Sequence, residues 1–234
     1  MSEESTNQES SNADRSTSEL LDAFEVRVLA VLAEKEALIP DNYPLSLNAL
    51  VNGCNQLSSR DPVMSMSEET VLEVLQRLMQ KKFVVEVRQA GARVSKYEHR
   101  MRIKWSLEQD KLAILTILML RGFQTAGEVR TRSGRLHEFS TVQEVESGLQ
   151  FLIDKFPPLV ARLARAPGTK EARYAHLLAG EDMLERQEIA ASFSSGVEMH
   201  RQDRVSQLED EVARLRSDVA TLTEQFAQFK KQFE

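Results

Sequence analysis

The sequence predicts a mainly α chain with small β-hairpins, of α+β class. It reads as one helix-rich unit used twice, followed by a coiled-coil helix. Three observations predict this. Amphipathic stretches, many opened by Ser or Thr caps, recur as far as about residue 155. Each group of three is followed by two β-prone runs around a Gly-containing turn. From residue 205 onward, apolar residues keep a strict seven-residue period.

The first 18 residues are Ser, Glu, Asn and Thr with almost no apolar content, which predicts a disordered acidic tail. "ELLDAFEVRVLAVLAEKE" then places Leu21, Phe24, Val28, Val31 and Leu32 on one helical face. "IPDNYP" breaks that helix. Ser46 caps a second helix through about Asn55, with Leu45 and Leu50 as a hydrophobic staple. Ser67 caps a third, with Met66 and Val71 in the same relation and core positions Val71, Leu72, Leu75, Leu78 and Met79. "FVVEVRQ", "AGARVS" and "KYEHRM" read as strand, turn and returning strand.

The same order follows again. Ser106 is expected to cap "LEQDKLAILTILMLR", with Gln109 at the capping-box position. Thr125 with Glu128 and Thr141 with Glu144 form two further capping boxes, opening "AGEVRTR" and "VQEVESGLQFLIDK". "PLVARLAR", "APGTKE" and "ARYAHLL" supply strand, turn and strand. Both closing strands carry Tyr-x-His, as Tyr97/His99 and Tyr174/His176. That offset is 77 residues, and the offset between the caps Ser46 and Thr125 is 79. Agreement over several elements argues for duplication. Three helices and a hairpin is the element order of the winged helix, in which the second and third helices form a helix-turn-helix and the hairpin turn is the wing. The predicted domains are an acidic tail (1–18), winged helices at 19–104 and 105–180, a helical linker (181–204) and a coiled coil (205–234).

In the coiled coil, Val205, Val212, Val219, Phe226 and Phe233 hold one core position, and Leu208, Leu215, Leu222 and Phe229 the other. Val and Leu in these places favour a parallel dimer. Arg204 would then meet the partner's Glu209, and Glu211 the partner's Arg216. The dimerisation residues are thus Val205, Leu208, Val212, Leu215, Val219, Leu222, Phe226 and Phe229. The apolar run Leu112 to Leu120 is too short to span a bilayer and reads as buried core; it is the reserve interface should the seam not carry assembly.

Composition limits the function classes. The start of the chain has neither a basic nor an apolar signal region, and one cysteine fits a reducing cytosol, so a cytoplasmic, non-membrane protein is expected. Net charge is −6, but residues 20–180 carry 22 Lys and Arg against 19 Asp and Glu, so the acidity comes from the ends.

Several segments, "DNYPLSLNALVNGCNQLSSRDPVMS", "GARVSKYEHR", "LMLRGFQTAGEVRTRS" and "ARYAHLL", closely resemble the YceH-like family of bacterial proteins. The resemblance covers roughly residues 20–180. It implies the tandem winged-helix fold and supplies no catalytic or ligand residues.

No catalytic constellation stands out. Cys54, with His99 or His137 as a base, is outweighed by a small buried hydrophobe beside Leu50, Val51 and Leu57. Four scattered His give no metal-ligand spacing, and no Gly-rich phosphate loop occurs, so no enzyme, metal or cofactor is expected. Equivalent placement gives His99 and His176 packing or hydrogen-bonding roles. Basic clusters are the strongest binding signal. Arg88, Arg93 and Lys96 flank the first wing; Arg130, Arg132 and Arg135 end the second unit's middle helix; Lys170 and Arg173 flank the second wing; Arg77 lies on the first unit's third helix. Against them, Glu68, Glu69, Glu73, Glu144 and Glu146 put acids on the third helices. The leading expectation is a homodimeric, regulator-type protein that binds duplex DNA. The alternative is a protein-interaction adaptor that binds no nucleic acid.

Overall fold

The computed structural model describes residues 20–88, 94–163 and 171–180. It is a mixed α+β structure, with about half of these residues helical and small antiparallel sheets. The chain divides into Met1–Asp182 and Met183–Glu234. The coiled-coil expectation, with Val205 to Phe229, lies in the second part and outside the described residues, as does the acidic tail.

Helix α1 spans Ala23–Leu38 and begins later than the periodicity suggests, because Asp22 caps it in a reciprocal box with Glu25. Leu21 is buried ahead of the helix, and Phe24, expected in the core, is exposed. Every residue from Glu25 to Glu34 is buried, so α1 is enclosed on all sides rather than amphipathic. A two-residue strand, β1 (Leu45–Ser46), leads into α2 (Leu47–Cys54), whose cap is Ser46 as expected. Leu45 and Leu50 are both buried. Helix α3 (Glu68–Gln80) is capped by Ser67, with Val71, Val74, Leu75 and Leu78 buried. Leu72, read from the sequence as core, is exposed. Strands β2 (Val84–Val87) and β3 (Lys96–His99) are shorter than the β-prone runs. They join β1 in a three-stranded sheet of order β1-β3-β2, with Leu45 opposite Tyr97.

A short helix α4 (Met101–Trp105) links this group to the next, and corrects one expectation. Ser106 does not cap the following helix. It closes α4 with φ 49°, in the left-handed region, and α5 (Gln109–Arg121) starts after Glu108 with no side-chain cap. Leu112 through Leu120 are all buried in α5, so this run is core and is withdrawn as a reserve interface. Thr125 and Glu128 form the full box that opens α6 (Ala126–Ser133). Thr141 caps α7 (Val142–Ile153), but the Glu144 carboxylate accepts from Ser140 N rather than closing a box on Thr141. Strands β4 (Val160–Arg162) and β5 (Tyr174–His176) pair antiparallel.

The second group reproduces a detail of the first. Gln124, just before the cap Thr125, bridges Tyr174 as Leu45 pairs with Tyr97, at offsets of 79 and 77 residues. The first helices of the two groups, α1 and α5, pack on each other, and one hydrophobic cluster runs from Leu21 to Leu178.

Candidate nucleic-acid interface

The outward face of α3 carries Glu68, Glu69, Leu72, Glu73 and Gln76. None of these three carboxylates has an ion-pair partner among the described residues. Arg77, the cation expected at a nucleic-acid contact on this helix, is turned onto the start of α1. Its guanidinium lies 2.7 Å from Asp22 Oδ2 and 3.4 Å from Glu25 Oε1. Lys81 adds a third contact, donating to Glu25 Oε2 and the Leu20 carbonyl at 2.8 Å each. On α7 the exposed residues include Gln143, Glu144, Glu146, Gln150 and Phe151.

The other predicted cations divide into two groups. Arg130 is spent on the fold: it donates to the carbonyls of Phe139 and Ser140 (3.2 and 2.8 Å) and ties down the link between α6 and α7. Arg132 bonds Gln124 and lies 3.4 Å from Glu128. Arg88 pairs with Glu86 at 2.8 Å on the surface. By contrast, Arg135 and Arg173 are exposed, Lys96 is half-buried on β3, and none of their side chains pairs with a described residue. Arg162 on β4 is likewise exposed. Arg93 and Lys170 lie outside the described residues. Of the predicted cations, Arg77, Arg88, Arg130 and Arg132 are thus engaged by groups of their own chain.

Comparison with known proteins follows this geometry. Residues 21–169 match the family described as "Protein of unknown function, DUF480". The UPF0502 protein HEAR1280 of Herminiimonas arsenicoxydans is 66% identical over 227 residues, 96% of this chain and 95% of its own. A UPF0502 protein of Janthinobacterium sp. (strain Marseille) is 63% identical over 215 residues, 92% of each chain. UPF0502 protein GSU0233 of Geobacter sulfurreducens is 45% identical over 218 residues, 92% of this chain and 99% of its own. The chain belongs to this family.

The DUF480 match begins at Leu21 and takes in both helical groups, in agreement with the span over which the sequence resembles the YceH-like family. Within that span the Cys-containing stretch is a structural knot. Cys54 is buried at the end of α2, and burial pushes its thiol up to about 12. Its carbonyl accepts from Arg27 at 3.2 Å, and Arg27 also donates to the Pro62 carbonyl at 2.6 Å. Leu57, expected beside Cys54, is 84% exposed. Arg60 is buried against Glu34 at 2.6 Å and donates to the Gly53 carbonyl and Gln56. Burial raises the Glu34 carboxyl, and the Arg60 guanidinium outweighs it and holds it below the usual range. Two buried arginines thus fix the link between α2 and α3 by satisfying its carbonyls. The sequence carried a signal for this: Arg27 and Glu34, seven residues apart, lie on one side of the helix and flank its apolar run from Val28 to Ala33.

The paired histidines differ in their surroundings. His99 Nδ1 accepts from Met101 N, and Nε2 lies 3.1 Å from Glu36. His176 Nδ1 is buried with no partner among the described residues, and burial lowers the imidazole to about 4. Among the described residues no group of His, Cys, Asp and Glu is placed to hold a metal ion, and no helix is long and apolar enough to cross a membrane.

Proposed function

We propose that each helical group is a winged helix, that residues 205–234 pair two chains in parallel, and that the resulting homodimer is a protein-binding adaptor. Three helices followed by a hairpin, with a short strand before the second helix completing the sheet, support the winged-helix reading. One observation carries the choice of ligand. The exposed face of α3 presents Glu68, Glu69 and Glu73, while Arg77 is engaged by Asp22 and Glu25. In a DNA-binding winged helix the third helix enters the major groove between two rows of phosphates, and unpaired carboxylates there oppose binding. The same face, with exposed Leu72 among the acids, suits a basic protein surface with an apolar contact at its centre.

The test is a titration of the full chain with random duplex DNA across ionic strength. No saturable, salt-dependent binding is expected even at about 50 mM salt. Micromolar binding that weakens as salt rises would overturn the adaptor reading. A second reading has its own support: Arg135, Arg162 and Arg173 are exposed and unpaired among the described residues, so phosphate contact would come from the second winged helix. In that case replacing two of them should reduce the salt slope by about 2.

A further inference from the structure

The link between α2 and α3, Asn55 to Ser67, is thirteen residues long, whereas its counterpart between α6 and α7, Gly134 to Thr141, has eight. The longer link is held at several points. Asn55 exchanges two hydrogen bonds with the backbone of Met66, at 2.8 and 2.7 Å, and closes its base. Asp61 N donates to the Leu120 carbonyl at 2.8 Å, which fastens the link to the last turn of α5. Ser59, between these ties, has φ 62°, a left-handed conformation that a residue other than glycine adopts at a cost. Two arginines hold it there. Arg60, its side chain fully buried, donates to the Ser59 carbonyl at 3.0 Å. Arg121, the last residue of α5, donates to Ser59 Oγ at 2.6 Å.

This turn has the parts of an anion site. Ser58 and Ser59 are exposed, and the N–H groups of Ser58, Ser59 and Arg60 have no acceptor among the described residues. A left-handed residue between ordinary ones makes the turn in which successive N–H groups face an anion together. Arg121 supplies the charge. Its guanidinium has several N–H donors, and only the one to Ser59 is engaged. Among the described residues no carboxylate lies within ion-pair distance of it. The neighbouring arginines are both matched: Arg60 by Glu34, and Arg132 by Glu128 at 3.4 Å. Arg132 also bonds Gln124, whose amide donates to the Arg121 carbonyl at 3.2 Å. Burial lowers the Arg121 guanidinium from its ordinary value, and Arg132 and Arg60 lower it further. The carboxylate that opposes them, Glu34, is already bound to Arg60, and Asp61, the acid next in the link, bears on Arg27.

We propose that the Ser58–Arg60 turn and Arg121 bind a phosphate or diphosphate group of a small ligand. Guanidinium and backbone N–H donors together match the oxygens of such a group. A small ligand presents that group alone, whereas a duplex would carry rows of phosphates past the exposed Asp61 in the same link. The turn belongs to the first helical group and Arg121 to the first helix of the second, so the ligand bridges the two groups. The inference does not rest on the adaptor reading.

The test uses the full chain labelled with nitrogen-15 serine, the Ser58→Ala and Ser59→Ala chains identifying the two amide signals. Inorganic pyrophosphate is the probe, at about 20 mM background salt. Both signals are expected to shift and saturate, with half-saturation of order 1 mM. Arg121→Gln should raise that concentration about ten-fold, as loss of a charged hydrogen-bond donor does. Arg121→Lys, which keeps the charge, should fall between the two. Shifts no larger than those from sodium chloride at the same ionic strength overturn the proposal, and so does equal half-saturation in all three chains. Random duplex DNA that moves the same signals at a lower phosphate concentration than pyrophosphate overturns the small-ligand assignment. DNA binding that leaves these two signals in place overturns the adaptor reading alone.

Discussion

At the residue scale, the polar groups with long-range partners decide what the molecule can do. Cys54 is closed off by its own helix end and by Arg27, and its thiol is pushed to about 12, so almost no thiolate exists at neutral pH. Native protein should react with a thiol reagent far more slowly than the unfolded chain. Cys54→Ala should keep function and cost about 1–2 kcal/mol for a small cavity. Rapid labelling of folded protein would contradict this. His176 gives a pH signature. Its folded value, about 4, lies below the usual 6.5, so between those values the unfolded chain binds a proton that the folded chain refuses. The stabilising contribution is complete above pH 6.5 and is lost as pH falls towards 4, up to about 3 kcal/mol. Denaturant melts at pH 7 and pH 5 should therefore differ, and His176→Phe should remove most of the difference. Arg77 marks where sequence reading stops at this scale. Its helix and its exposed face were legible, but its partners Asp22 and Glu25 lie 55 and 52 residues away, and no local pattern reveals them.

At the element scale, legibility followed the physics of local signals. Ser46, Ser67, Thr125 and Thr141 cap the helices they were expected to cap, because a cap is a contact over three residues. Ser106 misled because a left-handed helix end and a helix start place the same small polar residue at a boundary. Strand β1 went unseen because two residues carry no alternation. Helix contacts make a further prediction. A Cβ on Gly53 would fall 2.5 Å from Val31 Cγ1, a methyl on a stiff, fully buried β-branched side chain of α1. A Cβ on Gly148 would meet only the terminal Cδ1 of Ile114 on α5, which can rotate away. Gly→Ala gains about 1 kcal/mol of helix propensity at either site. Overpacking should exceed that gain at Gly53, leaving Gly53→Ala destabilised by about 1–2 kcal/mol and Gly148→Ala near neutral. Chemical denaturation of the two variants checks the order; equal effects would mean that α1 and α2 can separate without penalty.

At the scale of the whole molecule, the proposed C-terminal seam is open to a direct test of assembly. The hydrophobic cluster of the first unit runs from Leu21 to Leu178 among the described residues, and the proposed seam lies beyond it in sequence. Leu215→Asp places a carboxylate at the middle of the proposed seam beside its own symmetry mate, where desolvation and like charge both oppose pairing. Truncation after residue 200 removes the seam altogether. Both variants should sediment as monomers, while the thermal transition of the first unit stays within a few degrees of the full chain. The alternative interface proposed from sequence is closed, since Leu112 to Leu120 are buried within α5 and cannot meet a second chain. A truncated chain that stays dimeric would instead point to the exposed apolar residues of the first unit. Phe156, fully exposed on the long link after α7, is then the side chain to change, and Phe156→Ser should yield the monomer that truncation did not.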